Sequence, residues 1–305
     1  MTKKVAVLMG GWSAEREVSL VSGAACAKAL VNAGYMVTPI DVQRDMGGLL
    51  TRLLPRPDVV FNALHGRFGE DGCVQGLLDI LDVSYTHSGL LASSIAMNKP
   101  LSKKMFAAEG LHVAEEIIID QETLMAGDPM PRPYVVKPIN EGSSVAVHII
   151  REGDNHKPYD DSGWPLGEEI MVERFIPGQE FTVAVMGKGD DAKAMTVTEI
   201  STGREFYDYD AKYVAGGSVH VLPAEIDKDL FDEAMRSAEI AHRCLGCRGI
   251  SRADFRYDGE KLYILEINTQ PGMTPTSLVP EQAKLLDMSF EDLVSWMVEN
   301  AECDA

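Results

Sequence analysis

Residues 5–40 read VAVLMGGWSAEREVSLVSGAACAKALVNAGYMVTPI, and the order of patterns within them decides the architecture. Val5 to Met9 is a short apolar run that stops at Gly10 and Gly11. A helical stretch follows, with Val18, Val21, Ala25 and Ala29 on one stripe, and Gly34 ends it as a C-cap glycine does. Met36 to Ile40 reads as a second strand and Val59 to Ala63 as a third, and helical periodicity returns at Val74, Leu77, Leu78 and Leu81. This alternation predicts an α/β fold that begins with a parallel sheet covered by helices. In such sheets the functional loops lie at the carboxyl ends of the strands. Two loops are placed there, Gly10 to Arg16 and His65 to Gly72 (HGRFGEDG).

Outward from this block the grammar changes near residue 96. A short helix (Leu101 to Glu109) leads to Ile117–Ile119. Strands are then predicted at Tyr134 to Lys137, Val145 to Ile150, Ile170 to Arg174, Glu180 to Met186 and Met195 to Ile200, an antiparallel pattern. The Asp-, Gly- and Pro-rich stretch Glu152 to Gly167 reads as a surface loop. An amphipathic helix carries Leu230, Ala234, Ala238, Ala241 and Leu245, closed by Gly246. Ile250 to Tyr257 and Leu262 to Asn268 form a hairpin around Asp258-Gly259, and Phe290 to Glu299 is a last helix.

The chain has 305 residues, which at roughly 150 per domain allows two compact units or one large body with an insertion. Its 28 basic and 47 acidic residues give a net charge of −19, a field that repels nucleic-acid backbones and anionic lipid. Neither a nucleic acid nor a membrane is expected as a partner. Five cysteines (Cys26, Cys73, Cys244, Cys247, Cys303) are scattered and odd in number, which predicts free thiols in a reducing compartment. Cys244 and Cys247 resemble half of a zinc site but lack a second pair. The first apolar run is too short for a signal-peptide core, so the expected location is cytoplasmic.

Four constellations could carry chemistry. On the hairpin, strand alternation puts Glu266 and Asn268 on one face, with Leu265 and Ile267 toward the core, while Arg252, Asp254 and Arg256 share a face of the partner strand. Two carboxylates and an amide on adjacent strands suit a hard divalent cation, although a solvated polar face with an Asp–Arg pair reads the same way. Lys137 ends the apolar strand before Asn140-Glu-Gly-Ser-Ser144, which is either a phosphate cradle or an ordinary β-turn. Glu15 in the first loop could bind an ammonium group or simply complement a helix dipole. His65, with Glu70 and Asp71 close by, follows an apolar strand where functional loop residues collect.

The ordered series LMGGWSAEREVSL (8–20), LHGRFGEDG (64–72), YTHSG (85–89), MNK (97–99), VVKPINEGSSV (135–145), ERFIPGQEFTVAV (173–185), FYDYDAKY (206–213), SRADF (251–255) and LEINTQPGMTPTSLVP (265–280) resembles the D-alanine:D-alanine ligases of the ATP-grasp superfamily. The resemblance implies three parts: an N-terminal parallel-sheet α/β domain over 1–95, a central ATP-grasp subdomain over 96–178, and a C-terminal ATP-grasp subdomain over 179–305 with a metal site and a lid.

It also implies roles. Lys99, Lys137 and Lys212 resemble phosphate-binding lysines. Glu173, Arg174, Phe175 and Ile176 resemble the hinge that holds adenine, and Glu180 the carboxylate on the ribose. Asp254, Glu266 and Asn268 match ligands of two Mg²⁺ ions, with Mn²⁺ an alternative. Glu15 matches the anchor of the first D-alanine's ammonium, with Ser143 and Tyr213 bonded beside it and His65 in the same subsite. Arg252 and the N–H of Gly272 match an oxyanion hole, and Ser277 with Leu278 the binding of the second D-alanine's carboxylate. Phe206 to Gly217 matches the lid. Departures are Ala146 where glycine is frequent, Trp12 in a variable slot, and Phe175 where tryptophan is frequent.

The implied reaction activates one D-alanine as an acylphosphate with ATP, joins it to a second for peptidoglycan, and releases ADP and phosphate; a homodimer is implied too. Three alternatives remain: a D-alanine:D-lactate ligase, another ATP-grasp carboxylate–amine ligase, and an amino-acid binding protein.

Overall fold

A computed structural model describes residues 2–140, 146–154, 169–201, 218–274 and 276–304. Ser143, Lys212, Tyr213 and the expected lid, 206–217, lie outside the described residues, as does most of the expected loop 152–167.

The opening block folds as its pattern predicts. Strands β1 (Lys4–Gly10), β2 (Met36–Val42) and β3 (Val59–Asn62) form a parallel sheet in the order β2-β1-β3. Helix α1 (Arg16–Asn32) is the crossover from β1 to β2. Its buried face differs from the expected stripe: Val18 and Ala29 are buried, but Val21 is 58% exposed, and Ser19, Ser22, Gly23, Cys26 and Leu30 face inward. The reason is close approach. A Cβ on Gly23 would lie 2.4 Å from Met9 Cβ, so only small residues fit this contact. Ser19 survives burial because its hydroxyl donates to Ala63 O at 2.7 Å and accepts from Gly10 N at 2.9 Å.

Beyond the sheet run α2 (Met46–Arg52), α3 (Cys73–Ile80), α4 (Leu90–Met97) and α5 (Lys99–Ala108). Asn98 caps α5 by accepting from Leu101 N at 3.1 Å, and Pro100 sits in its first turn, where a missing N–H does no harm. Next come β4 (Glu116–Ile119), α6 (Gln121–Ala126), β5 (Tyr134–Pro138), β6 (His148–Ile150) and β7 (Ile170–Arg174), whose four strands pair antiparallel in the order β4-β7-β5-β6. The strand expected from Val145 begins at His148 among the described residues, because Ala146 has φ of +57° and cannot continue an extended run.

The remaining strands, β8 (Gln179–Lys188), β9 (Lys193–Ser201), β10 (Val219–Val221), β11 (Arg248–Tyr257) and β12 (Leu262–Asn268), form an antiparallel sheet ordered β10-β9-β8-β11-β12. Helix α7 (Lys228–Cys244) covers it with Ala234, Ala238 and Ala241. The hairpin β11–β12 is in the predicted place with one change. Asp254 pairs with Glu266 and the next residue, Phe255, with Ile264, so Leu265 is a bulged extra residue and only half-buried. The bulge resets the alternation, so Ile264 joins Ile267 in the core.

Helices α8 (Leu278–Leu285) and α9 (Phe290–Glu299) close the chain. Leu293, Val294, Met297 and Val298 of α9 share one core with Val5, Val7 and Phe61 of the first sheet and Leu30 of α1. The last helix therefore belongs in space with the first ninety-odd residues. Among the described residues no helix is long and apolar enough to cross a membrane.

All five cysteines carry free thiols. Burial pushes Cys247 up to about 12 and Cys244 up to about 11, and raises Cys26 further. A thiol that stays protonated is a poor nucleophile. With a maleimide at neutral pH, exposed Cys73 should label promptly while Cys26 and Cys247 label only after denaturation. Fast modification of Cys247 in the folded protein, read by peptide mass, would contradict its burial.

Candidate active site

The site is assembled where the ends of the three sheets meet. Its floor is the β11–β12 hairpin, where cross-strand register sets Asp254 opposite Glu266 and Arg252 opposite Asn268. Alternation then projects all four side chains from one face. Among the described residues, Thr182 Oγ1 on β8 donates to Asp254 Oδ1 at 2.6 Å, and the Arg252 fork donates to both of its oxygens at 2.9 and 2.7 Å. Asn268 Oδ1 accepts from Gln270 N at 2.8 Å. Lys99, buried at the start of α5, places Nζ 4.0 Å from Glu266 Oε2. Burial lowers the Lys99 ammonium from its ordinary value, with Glu266 opposing and Lys137 adding to the shift.

A second wall comes from the central sheet. Lys137 on β5 and Glu173 on β7 are diagonal neighbours on one face, because Val135 is the residue paired with Glu173. Lys137 Nζ donates to Glu173 Oε1 at 2.5 Å and Lys103 Nζ to Oε2 at 2.7 Å. Burial alone would raise the Glu173 carboxyl, but the two ammonium groups overcome it and hold it down to about 2. The same attraction outweighs desolvation at Lys137, whose ammonium is raised.

Next in sequence, exposed Arg174 lies over the Tyr263 ring, and the Phe175 ring is flanked by the guanidinium groups of Arg151 (5.6 Å) and Arg256 (5.4 Å). Ile176 is buried, and its carbonyl accepts from Arg256 Nε at 3.1 Å. Arg256 also donates to Glu180 Oε2 at 2.9 Å, so one arginine fixes both ends of the ERFI…E segment.

The third wall comes from the two loops at the edge of the parallel sheet. Glu15 stands at the N-cap of α1 without capping it, and its carboxylate turns toward Gly66, where a Cβ would lie 2.6 Å from Oε2. Gly66, at φ +69°, is therefore required twice, by conformation and by contact. His65 is buried with Nε2 3.4 Å from Ser22 Oγ, and burial pushes it down to about 4, so it is neutral at physiological pH. Glu70 is buried as well. Burial, with the Glu15 and Glu266 carboxylates nearby, raises it well above the usual range.

In sequence Glu70 stands close to His65 without a role implied by the family resemblance. Its signal was the eight-residue glycine-rich loop after the third strand. Its proximity to Glu15 and Glu266 exists only in three dimensions.

Among the expected acceptor-side residues, Gly272 lies against Ser277, where a Cβ would meet Ser277 Oγ at 3.2 Å. Among the described residues the Gly272 N–H has no hydrogen-bond acceptor. Ser277 is the N-cap of α8; its hydroxyl accepts from Thr274 N at 3.0 Å, and Leu278 is buried behind it. The loop after β12 is anchored to the first sheet by Gln270, whose amide accepts from Asn62 at 2.8 Å and donates to Leu64 O.

Thus Lys99, Glu15, His65, Glu70, Arg252, Asp254 and Glu266 gather around one space, with Lys137 and Glu173 alongside.

Models of the D-ala D-ala ligase C-terminus and N-terminus match residues 109–299 and 48–88. The D-alanine–D-alanine ligase of Rhodospirillum rubrum is 56% identical over 306 residues, with both chains covered entirely. That of Parvibaculum lavamentivorans is also 56% identical, covering 99% of this chain and 98% of the relative. Among solved structures, the Bacillus anthracis D-alanine–D-alanine ligase complexed with ATP superposes with a TM-score of 0.82 at 26% identity, covering 98% of this chain and 97% of that one. The VanG D-Ala:D-Ser ligase of Enterococcus faecalis gives 0.81 at 26% identity, covering 98% and 99%. With an ATP-grasp likeness over nearly its whole length and this converging set of acids and cations, the chain belongs to the D-alanine–D-alanine ligase family.

Proposed function

We propose that this chain uses ATP to join two D-alanine molecules into D-alanyl-D-alanine for peptidoglycan synthesis, in the cytoplasm. One observation carries the reading: buried acids from the first-sheet loops, Glu15 and Glu70, stand beside the Asp254–Glu266 pair and Lys99. An ammonium-binding pocket thereby adjoins a place where phosphates can be neutralised. The division into segments 1–95, 96–178 and 179–305 is part of the same proposal.

Asp254, Glu266 and Asn268 are hard oxygen donors on one face. They suit Mg²⁺, which keeps water and phosphate ligands rather than a full protein cage. Among the described residues no three His, Cys, Asp or Glu groups cluster as a metal site. Bound there, Mg²⁺ supplies charge against the transferring phosphoryl group.

The chain's own residues do the rest. Lys99, Lys137 and Lys212 bind phosphates; Glu173 and Ile176 hold adenine, with Arg174 and Phe175 beside them, and Glu180 takes the ribose. Glu15 anchors the first ammonium, with His65, Ser143 and Tyr213 about it, so that the first carboxylate lies in line for phosphorylation. Arg252 and the Gly272 N–H steady the oxyanion formed when the second amine attacks the D-alanyl phosphate. Ser277 and Leu278, at the start of α8, seat the second carboxylate, an anion suited to a helix N-terminus.

ATP hydrolysis to ADP should depend on D-alanine, and the product should be identified as the dipeptide by mass. ATP turnover indifferent to D-alanine would overturn the reading. D-Serine or D-lactate should compete poorly as second substrate when offered at equal concentration.

A further inference from the structure

Lys103 is outside every role assigned above, yet it is one of the most deeply buried charges in the protein, at 1% exposure. It lies one helical turn beyond Lys99 on α5, and its ammonium meets three oxygens, two by hydrogen bonds and one as an ion-pair contact. Nζ is 2.7 Å from Glu173 Oε2, 2.6 Å from Glu116 Oε2 and 3.0 Å from the carbonyl of Ala114. Glu173 carries a different lysine on each oxygen, Lys103 on one and Lys137 on the other. Two buried ammonium groups and two carboxylates make a closed, neutral cluster.

The two lysines are not equivalent. Lys137 stands near the end of β5 and, among the described residues, has one hydrogen-bond partner, Glu173. Lys103 is fixed from three directions, by a strand carboxylate (Glu116), a backbone carbonyl and Glu173. When Lys137 is drawn to a nucleotide phosphate, Glu173 loses one cation, and a buried carboxylate left alone tends to take a proton. A protonated acid can donate as well as accept; an anion accepts only. For a carboxylate that reads the 6-amino group of adenine, this difference decides which purine fits.

We propose that Lys103 is the positioning residue that keeps Glu173 an acceptor-only anion aimed at the purine once Lys137 has turned to phosphate, and so sets the preference for a 6-amino over a 6-oxo purine nucleotide. The proposal rests on the reading of Glu173 as the adenine partner, and its test separates the two.

Steady-state kcat/KM is measured with ATP and with inosine triphosphate, at saturating D-alanine, for the parent protein, Glu173→Gln, Lys103→Met and Lys103→Arg. Glu173→Gln should lower the ATP:ITP ratio, because an amide can donate to the 6-oxo group. Lys103→Met should lower it too, by about tenfold or more, since a site built around one polar pattern discriminates strongly only while that pattern holds. The loss should appear in KM for ATP, with KM for D-alanine unchanged. Lys103→Arg should restore much of the ratio.

Should Lys103→Met not fold, the pair Lys103→Met/Glu116→Gln, which removes one charge of each sign, carries the same expectation. A wild-type ratio in either folded variant, with Glu173→Gln altered, overturns the role of Lys103. An unaltered ratio in Glu173→Gln overturns the adenine assignment and the proposal with it.

Discussion

Asp254→Asn is expected to fold like the parent protein and to lose D-alanine-dependent turnover by ~10²–10³-fold. The substitution keeps the shape, and the amide can still accept from Thr182 Oγ1, which lies 2.6 Å from Oδ1 in the parent. It removes the negative charge that stands opposite the Glu266 carboxylate across the hairpin and that receives both nitrogens of the Arg252 fork. Metal charge at a phosphoryl-transfer site is worth several kcal/mol, and each ~1.4 kcal/mol is a factor of ten in rate. The deficit should fall mainly on kcat and respond only weakly to added Mg²⁺, because an ion bound beside the amide still lacks the carboxylate that fixes its position and charge. Stopped-point assays of ADP and dipeptide, with circular dichroism to verify the fold, decide it. Near-normal ligation by the folded variant would remove Asp254 from the metal site.

Arg248→Met should cost about 3–5 kcal/mol of stability, the range seen when a buried charged network loses one partner. Arg248 is 4% exposed and ties three chain segments together. Its guanidinium donates to Tyr85 O at 3.1 Å, His87 O at 2.6 Å and Glu302 O at 3.0 Å, and to Asp304 Oδ1 at 3.3 Å. It also lies over the Tyr85 ring at 4.6 Å. Methionine fills the volume but removes a donor from each of those carbonyls; among the described residues Tyr85 O and Glu302 O keep the backbone N–H of Glu302 and Tyr85, whereas His87 O is left without a donor, a penalty of ~1–3 kcal/mol where water cannot replace it. Lysine should rescue little, since a single ammonium cannot reproduce a fork directed at several acceptors. The midpoint of urea unfolding is the measurement; a midpoint within error of the parent would refute this role. Because Tyr85 bridges Val60 on one side and Glu302 on the other, the variant should also loosen the chain terminus, visible as faster hydrogen exchange at residues 300–304.

Much of this site can be read in one dimension because strands and loops keep neighbours in sequence near one another. The hairpin around Asp258-Gly259 fixed Asp254, Arg252, Glu266 and Asn268 on one face before any contact was known, since alternation is a property of the extended backbone. The bulge at Leu265 was not legible. It depends on which of two apolar residues, Ile264 or Leu265, the core under α7 accepts. The inner face of α1 differs from its pattern for a similar reason: serine hydroxyls count as polar in a pattern, yet Ser19 is buried against the backbone of Ala63 and Gly10, and Ser22 against the His65 ring.

By itself, then, the sequence determined the parallel opening sheet, the antiparallel strands after it and the final helix, which depend on local periodicity and on short spacings; most candidate site residues are named by the family resemblance instead. Tertiary structure alone decided that α9 completes the first core, that Glu70 faces Glu15 and Glu266, and that Lys103 shares Glu173 with Lys137. In the last pair, Lys103 and Glu173 are seventy residues apart and Glu116 lies on a third element. No periodicity links them. A buried lysine is tolerable only where carboxylates from other elements surround it, and packing alone reveals whether they do.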